Sequence, residues 1–185
     1  MRTAALRTTP LNLRHLAPIS SREVLSRSAP PLDPEALAAT QPMLVPRPTP
    51  AVILVVEDEV GDQILIQEAL NGSPVAKQIR IVSNGEEAIE YLYRSGRFAR
   101  PADAPRPDLI LLDLNMPRLG GKEVAARLKS DPDLKGIPIV AFTTSAREED
   151  VAGCYAIGVN SYVQKPTDFD QFQAVLQDLE RYWLG

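Results

Sequence analysis

Acids, a hydroxyl and an ammonium stand at the ends of successive apolar runs in this sequence. Glu57-Asp58-Glu59 follows Val52–Val56, Asp113 follows Leu109-Ile110-Leu111-Leu112, Thr143 follows Ile137–Phe142, and Lys165 follows Val159–Val163. Two carboxylates about 4 Å apart repel by roughly 4 kcal/mol at an effective dielectric near 20. If the first and third runs end side by side, Glu57, Asp58 and Asp113 form a cluster that needs a proton or a cation. An oxygen-only site with waters suits Mg²⁺, or Mn²⁺ in its place. Thr143 offers a hydroxyl donor and Lys165 a mobile ammonium. As a set these residues equip one point for phosphoryl transfer onto Asp113, with metal and lysine neutralising the transferred oxygens. Pro166 could hold a cis bond and so fix the lysine's direction. Glu59 and Asp62 read as solvated acids at a helix start, where the helix dipole favours them.

Such a set works only if a fold brings it together, and the pattern from Val52 onward supplies one. Val52–Val56 is a continuous β-branched run of the kind buried on both faces. Ile64, Leu65 and Leu70 predict a helix closed near Asn71-Gly72, and Gln78–Val82 a second strand. A helix from Gly85 to about Arg94 buries Ala88, Ile89 and Leu92. Residues 95–107 hold a Gly, three Arg and three Pro and read as a surface loop. Leu109–Leu112 is the third strand. Val124, Ala125 and Leu128 share one face of a helix that stops at Asp131-Pro132. Ile137–Phe142 is the fourth strand, Ser145-x-x-Glu148 a capping box for a helix to about Gly158, and Val159–Val163 the fifth strand. Thr167-x-x-Asp170 opens the last helix. Five strand–helix units predict an α/β fold: a doubly wound five-stranded parallel sheet, simplest order 2-1-3-4-5, with helices on both faces. Such sheets bind ligands beyond the carboxyl ends of their strands.

The rest of the 185-residue composition narrows the chemistry. The only His is His15 and the only Cys is Cys154. That excludes a disulfide framework, a Cys/His zinc site and the usual Ser-His-Asp or Cys-His pairs. No apolar run approaches the roughly 18–20 residues of a membrane span. A net charge of -4 gives nucleic-acid binding no electrostatic support. Residues 1–50 hold nine of the 17 prolines, six Arg, no Lys and three acids, a balance of +3, against -7 for the remainder. The stretch PMLVPRPTP (42–50) reads as an extended linker, because each proline removes an amide donor and biases its predecessor away from helix. Residues 1–50 are therefore expected to be a disordered Pro/Arg-rich tail, with at most a short helix over 19–28, and residues 51–185 the folded domain.

The segments VILVVEDE (52–59), PDLILLDLNMPRLGG (107–121), IPIVAFTTS (137–145) and NSYVQKP (160–166) resemble the receiver domain of two-component response regulators, of the chemotaxis-regulator fold. Asp113, Thr143 and Lys165 lie 30 and then 22 residues apart, as in that family. The resemblance implies that Asp113 is the phosphoacceptor. It implies that Glu57, Asp58, Asp113 and the backbone carbonyl of Asn115 hold Mg²⁺, and that Thr143 and Lys165 stabilise the phosphoryl group. Tyr162 would be the aromatic switch residue, and Met116, Pro117 and Gly121 would shape the loop after the acceptor. Glu57 stands where many members have Asp, and Gly120 where an Asp is common. The loop before PDLILLDLN, the segment 121–140, NSYVQKP and the closing RYWLG resemble stand-alone regulators paired with bacterial phytochromes.

The resemblance implies a cytoplasmic signalling protein rather than an enzyme, phosphorylated by a sensor histidine kinase of phytochrome type. No His lies in residues 51–185, so the donor comes from elsewhere, and the output is expected to be a protein contact, with no nucleic-acid or membrane partner. Phe169, Phe172, Leu176, Leu179 and Trp183 form a seven-residue repeat on the last helix. It reads either as core packing or as a homodimer contact through the fourth helix, fifth strand and last helix. Two rivals share the chemistry. A haloacid-dehalogenase-like phosphatase would want a second Asp where Asn115 stands, and a phosphorylation-independent interaction module would not need so complete a site.

Overall fold

In a computed structural model that describes residues 49–185, the apolar run at Ala51–Val56 forms β1, with every residue buried. It is followed by α1 (Val60–Asn71), β2 (Lys77–Val82), α2 (Gly85–Leu92), a 3₁₀ turn (Gly96–Phe98) and β3 (Leu109–Leu112). Then come α3 (Gly121–Ser130), β4 (Ile139–Thr143), α4 (Glu148–Ile157), β5 (Ser161–Gln164) and α5 (Phe169–Leu184). The strands are parallel and ordered β2-β1-β3-β4-β5, as the alternation predicts. The expectations for residues 1–48, including the helix over 19–28, lie outside the described residues.

The strands divide their side chains between two cores. Leu54, Val56, Ile110, Leu112, Ile139 and Ala141 pack with α2, α3 and α4 through Ala88, Tyr91, Val124, Leu128 and Cys154. Ile53, Val55, Leu109, Leu111, Val140 and Phe142 pack with α1 and α5 through Ile66, Leu70, Phe172, Leu176 and Leu184. The central strands are thus apolar on both faces, which is why they read as unbroken runs.

Two predicted helix starts are displaced. α4 begins at Glu148 with Arg147 as its N-cap, so Ser145 lies two residues too early to cap it; its hydroxyl donates to the Asp150 carboxylate and its Oγ accepts from the Arg147 N–H at 3.4 Å. α5 is capped by Asp168, which accepts from the Gln171 N–H at 3.0 Å, one residue beyond Thr167. The stripe on α5 also divides. Phe172 and Leu176 are buried, Leu179 and Trp183 are half-buried against the same core, and Phe169 is 47% exposed.

Glycine is demanded at the turn into α3. A Cβ on Gly121 would lie 2.1 Å from the Asp113 carbonyl oxygen and 2.8 Å from Leu114 Cα. Gly121→Ala is therefore expected to push the β3 terminus aside and destabilise the domain by about 1–3 kcal/mol, read by chemical denaturation. Gly120→Ala, whose Cβ would meet nothing nearer than 3.7 Å, should fall within about 0.5 kcal/mol of the parent.

Candidate functional site

Parallel strands ending together place their last residues along one edge of the sheet. Glu57 follows β1, Asp113 follows β3, Thr143 closes β4 and Lys165 follows β5. β1 and β3 are neighbours, with Val56 opposite Leu112, so the acids that follow them meet. Glu57, Asp58 and Asp113 each present a carboxylate oxygen within 4.8 Å of the others. Glu57 and Asp113 are buried and Asp58 is half-buried. Three hard oxygen donors at this spacing, two of them shielded from water, fit a divalent cation of the Mg²⁺ or Mn²⁺ type.

Asp113 is fixed from both sides. Its Oδ1 accepts from the N–H of Leu114 at 2.6 Å and of Asn115 at 3.3 Å, and its Oδ2 faces Lys165 Nζ at 3.5 Å. Lys165 is closer to two other acids: Glu57 Oε2 at 2.6 Å and Asp62 Oδ2 at 2.7 Å. Burial is the largest influence on Glu57 and lifts its carboxyl to about 7; Lys165 opposes the rise and the Asp113 charge adds to it. Burial alone would lower the Lys165 ammonium, but its bonds to Asp62 and Glu57 and the nearby carboxylate charges hold it above its ordinary value.

The Lys165–Pro166 peptide bond is trans, as are all peptide bonds among the described residues, so the cis form that Pro166 could hold is not adopted. The lysine is directed instead by its ion pairs and by its own N–H, which donates to the Thr143 carbonyl at 2.8 Å. Thr143 is fully buried, and its Oγ1 accepts from Asn115 Nδ2 at 3.3 Å and from the Ser145 N–H at 3.4 Å. Asn115 therefore links the turn after β3 to β4 through its side chain. Tyr162 is half-buried on β5, and its hydroxyl donates to the Ser145 carbonyl at 2.9 Å, outside the acid cluster. Pro117 lies in the turn between β3 and α3, beside Arg118 in the left-handed region at φ 67°.

One residue of the site escapes the sequence reading. Asp62 is not a merely solvated acid at a helix start; it bonds the lysine. The available signal was its place in the first turn of α1, directly after the acidic strand end, where a short loop folds the helix back over the sheet edge.

Comparison with known proteins matches residues 53–177 to the response regulator receiver domain. Response regulator Rcp1 of Synechocystis sp. is 42% identical over 135 residues, 73% of this chain and 90% of that protein. A crystal structure of the phosphorylated cyanobacterial phytochrome response regulator RcpA is 43% identical with a TM-score of 0.70, over 74% of this chain and 96% of that one. A Mn²⁺-bound form of Rcp1 is 41% identical with a TM-score of 0.68, over 73% and 95%.

Proposed function

The chain belongs to the response regulator receiver domain family, a signalling rather than a metabolic family, and we propose that it takes a phosphoryl group onto Asp113 from the phosphohistidine of a sensor histidine kinase. The observation that carries this assignment is the acceptor's setting: Asp113 sits in a three-carboxylate cluster at the carboxyl edge of the sheet, with Lys165 against its free oxygen. A carboxylate oxygen of Asp113 attacks phosphorus, the donor's N–P bond breaks, and the imidazole leaves with a proton from solvent. Glu57, Asp58, Asp113 and the Asn115 carbonyl would hold a Mg²⁺ ion, which would supply charge neutralisation for the phosphoryl oxygens. Lys165 neutralises a further oxygen and Thr143 donates its hydroxyl to another. Pro117, Gly121 and Pro166 hold the loops that carry these groups.

Output follows from the same residues. Thr143 leaves Asn115 for the phosphoryl group, and Tyr162 leaves the Ser145 carbonyl to fill the space beside β4. The remodelled surface spans α4, β5 and α5, where Tyr155 and Phe169 already expose aromatic rings that suit a homodimer contact. Likeness to Rcp1 and RcpA supports a kinase of phytochrome type as donor. Such a kinase, and the absence of any long apolar helix among the described residues, support a cytoplasmic setting without membrane contact. The net charge of -4 argues against nucleic acid as a partner. Residues 51–185 form the receiver domain on this reading, with 1–50 as a Pro/Arg-rich extension.

Incubation of the full chain with phosphoramidate and Mg²⁺ tests the assignment by intact mass. One phosphoryl increment, abolished by EDTA, is expected. No increment, or turnover of unrelated phosphomonoesters, would overturn it.

A further inference from the structure

We propose that Asp62 is a positioning residue for phosphoryl uptake: it holds the Lys165 ammonium toward α1 at rest, and the arriving phosphoryl group must draw that ammonium away. The inference rests on Asp113 being the acceptor.

An ammonium has three N–H donors. Lys165 directs two of them into short charge-assisted bonds, to Glu57 at 2.6 Å and to Asp62 at 2.7 Å. The third contact, to the acceptor Asp113, is 3.5 Å, the longest of the three. The resting lysine is therefore committed elsewhere, although the phosphoryl oxygens it must meet will arise at Asp113.

The two holding acids differ in how readily they let go. The Glu57 side chain is 2% exposed, so its carboxylate has no water to replace the lysine. The Asp62 side chain is 30% exposed and can rehydrate on release. Asp62 sits on α1, outside the strand-end acids, and holds the ammonium at 2.7 Å, while the Asp113 carboxylate at the β3 terminus lies 3.5 Å from it. Its carboxylate is not absorbed in capping: its hydrogen bond runs to Lys165, across 103 residues, and not to the first amides of α1. The lysine backbone is anchored to Thr143 throughout, so transfer from Asp62 to a phosphoryl oxygen needs only side-chain torsions.

Breaking the Asp62 contact is then part of the barrier to uptake. Asp62→Asn removes the charge that holds Lys165, and phosphorylation of the full chain by phosphoramidate with Mg²⁺ is expected to quicken about tenfold, the order of one charge-assisted hydrogen bond. Asp62→Glu restores a carboxylate on the same helical turn and should return the rate to within about twofold of the parent. Glu59→Gln removes an equal charge from the neighbouring strand-end residue, which makes no bond to Lys165, and should leave the rate within about twofold. An unchanged or slower rate in Asp62→Asn overturns the proposal, as does equal acceleration in Glu59→Gln, which would assign the effect to net charge. A parent protein that takes up no phosphoryl group would fail the acceptor assignment instead, so the two failures are told apart.

Discussion

Asp113→Asn is expected to take up phosphoryl groups at least about a hundredfold more slowly than the parent, in practice below detection by intact mass, while remaining folded. The substitution keeps the oxygen that accepts from the Leu114 and Asn115 amides, so the turn after β3 retains both bonds. It exchanges the anionic nucleophile for a neutral amide and withdraws one of three ligands from the acid cluster. It also removes repulsion. Charges near 4.8 Å interact by about 3 kcal/mol at an effective dielectric of 20, and Asp113 faces Asp58, and Glu57 in its ionised form, at or below that separation. The lost attraction to Lys165 is the lysine's longest contact and offsets only part of this gain. In metal-free buffer the variant should therefore melt at the parent's temperature or about 2–4 °C above it. With saturating Mg²⁺ the order should reverse, because the parent binds the ion more tightly. A variant that is inactive and also strongly destabilised without metal would point to a structural rather than a chemical role for Asp113.

What the sequence discloses and what it conceals divide along physical lines. β3 is legible to the residue, because Leu109–Leu112 is buried on both faces and apolar character alone marks it. β4 and β5 are not, because apolar runs do not report where pairing starts. Ile137 lies in the predicted fourth strand, yet its N–H bonds back to the Leu134 carbonyl in a turn; Pro138 has no N–H, and the strand begins at Ile139. Val159 is buried but belongs to the turn behind Gly158, at φ 100°, and β5 starts only after Asn160 has accepted from the Ile139 N–H. The acid cluster could be foreseen because each member lies within two residues of a strand end. The third partner of Lys165 could not, since helix phase and the α1 approach angle decide whether Asp62 faces water or the site. Ser145 shows the same limit: its spacing to Glu148 fits a capping box, but the helix starts two residues later than that spacing implies, and the Ser145 side chain donates to the Asp150 carboxylate and accepts from the Arg147 N–H instead.

The same blindness to distant pairs hides the feature on which domain stability should depend most sharply. Lys77 on edge strand β2 and Glu180 on α5 meet at 2.6 Å with side chains only 5% and 1% exposed. A seven-residue reading of α5 passes over position 180, whereas the buried row runs through Phe172, Leu176, Glu180 and Leu184 at intervals of four. These residues lie along one i, i+4 ridge of the helix rather than along a heptad seam. Lys77 also donates to the Ser73 and Val75 carbonyls at 3.4 and 3.2 Å, while Glu180 meets Lys77 through Oε1 and its Oε2 has no hydrogen-bond partner among the described residues. The two sides are thus unequal. Lys77→Met strands a buried carboxylate and should cost about 3–5 kcal/mol, lowering the melting temperature by roughly 10–20 °C. Glu180→Gln leaves a lysine that keeps two carbonyls and can gain the amide oxygen, and should cost about 1–2 kcal/mol. Replacing both residues, Lys77→Met with Glu180→Leu, removes both desolvated charges and should recover most of the loss, within about 1 kcal/mol of the parent. The pair joins β2 to α5, away from the sheet edge that carries Asp113. Phosphoryl uptake measured well below each variant's melting temperature should accordingly match the parent in all three. A double variant as unstable as Lys77→Met would show that the ion pair contributes net stability beyond mutual charge compensation.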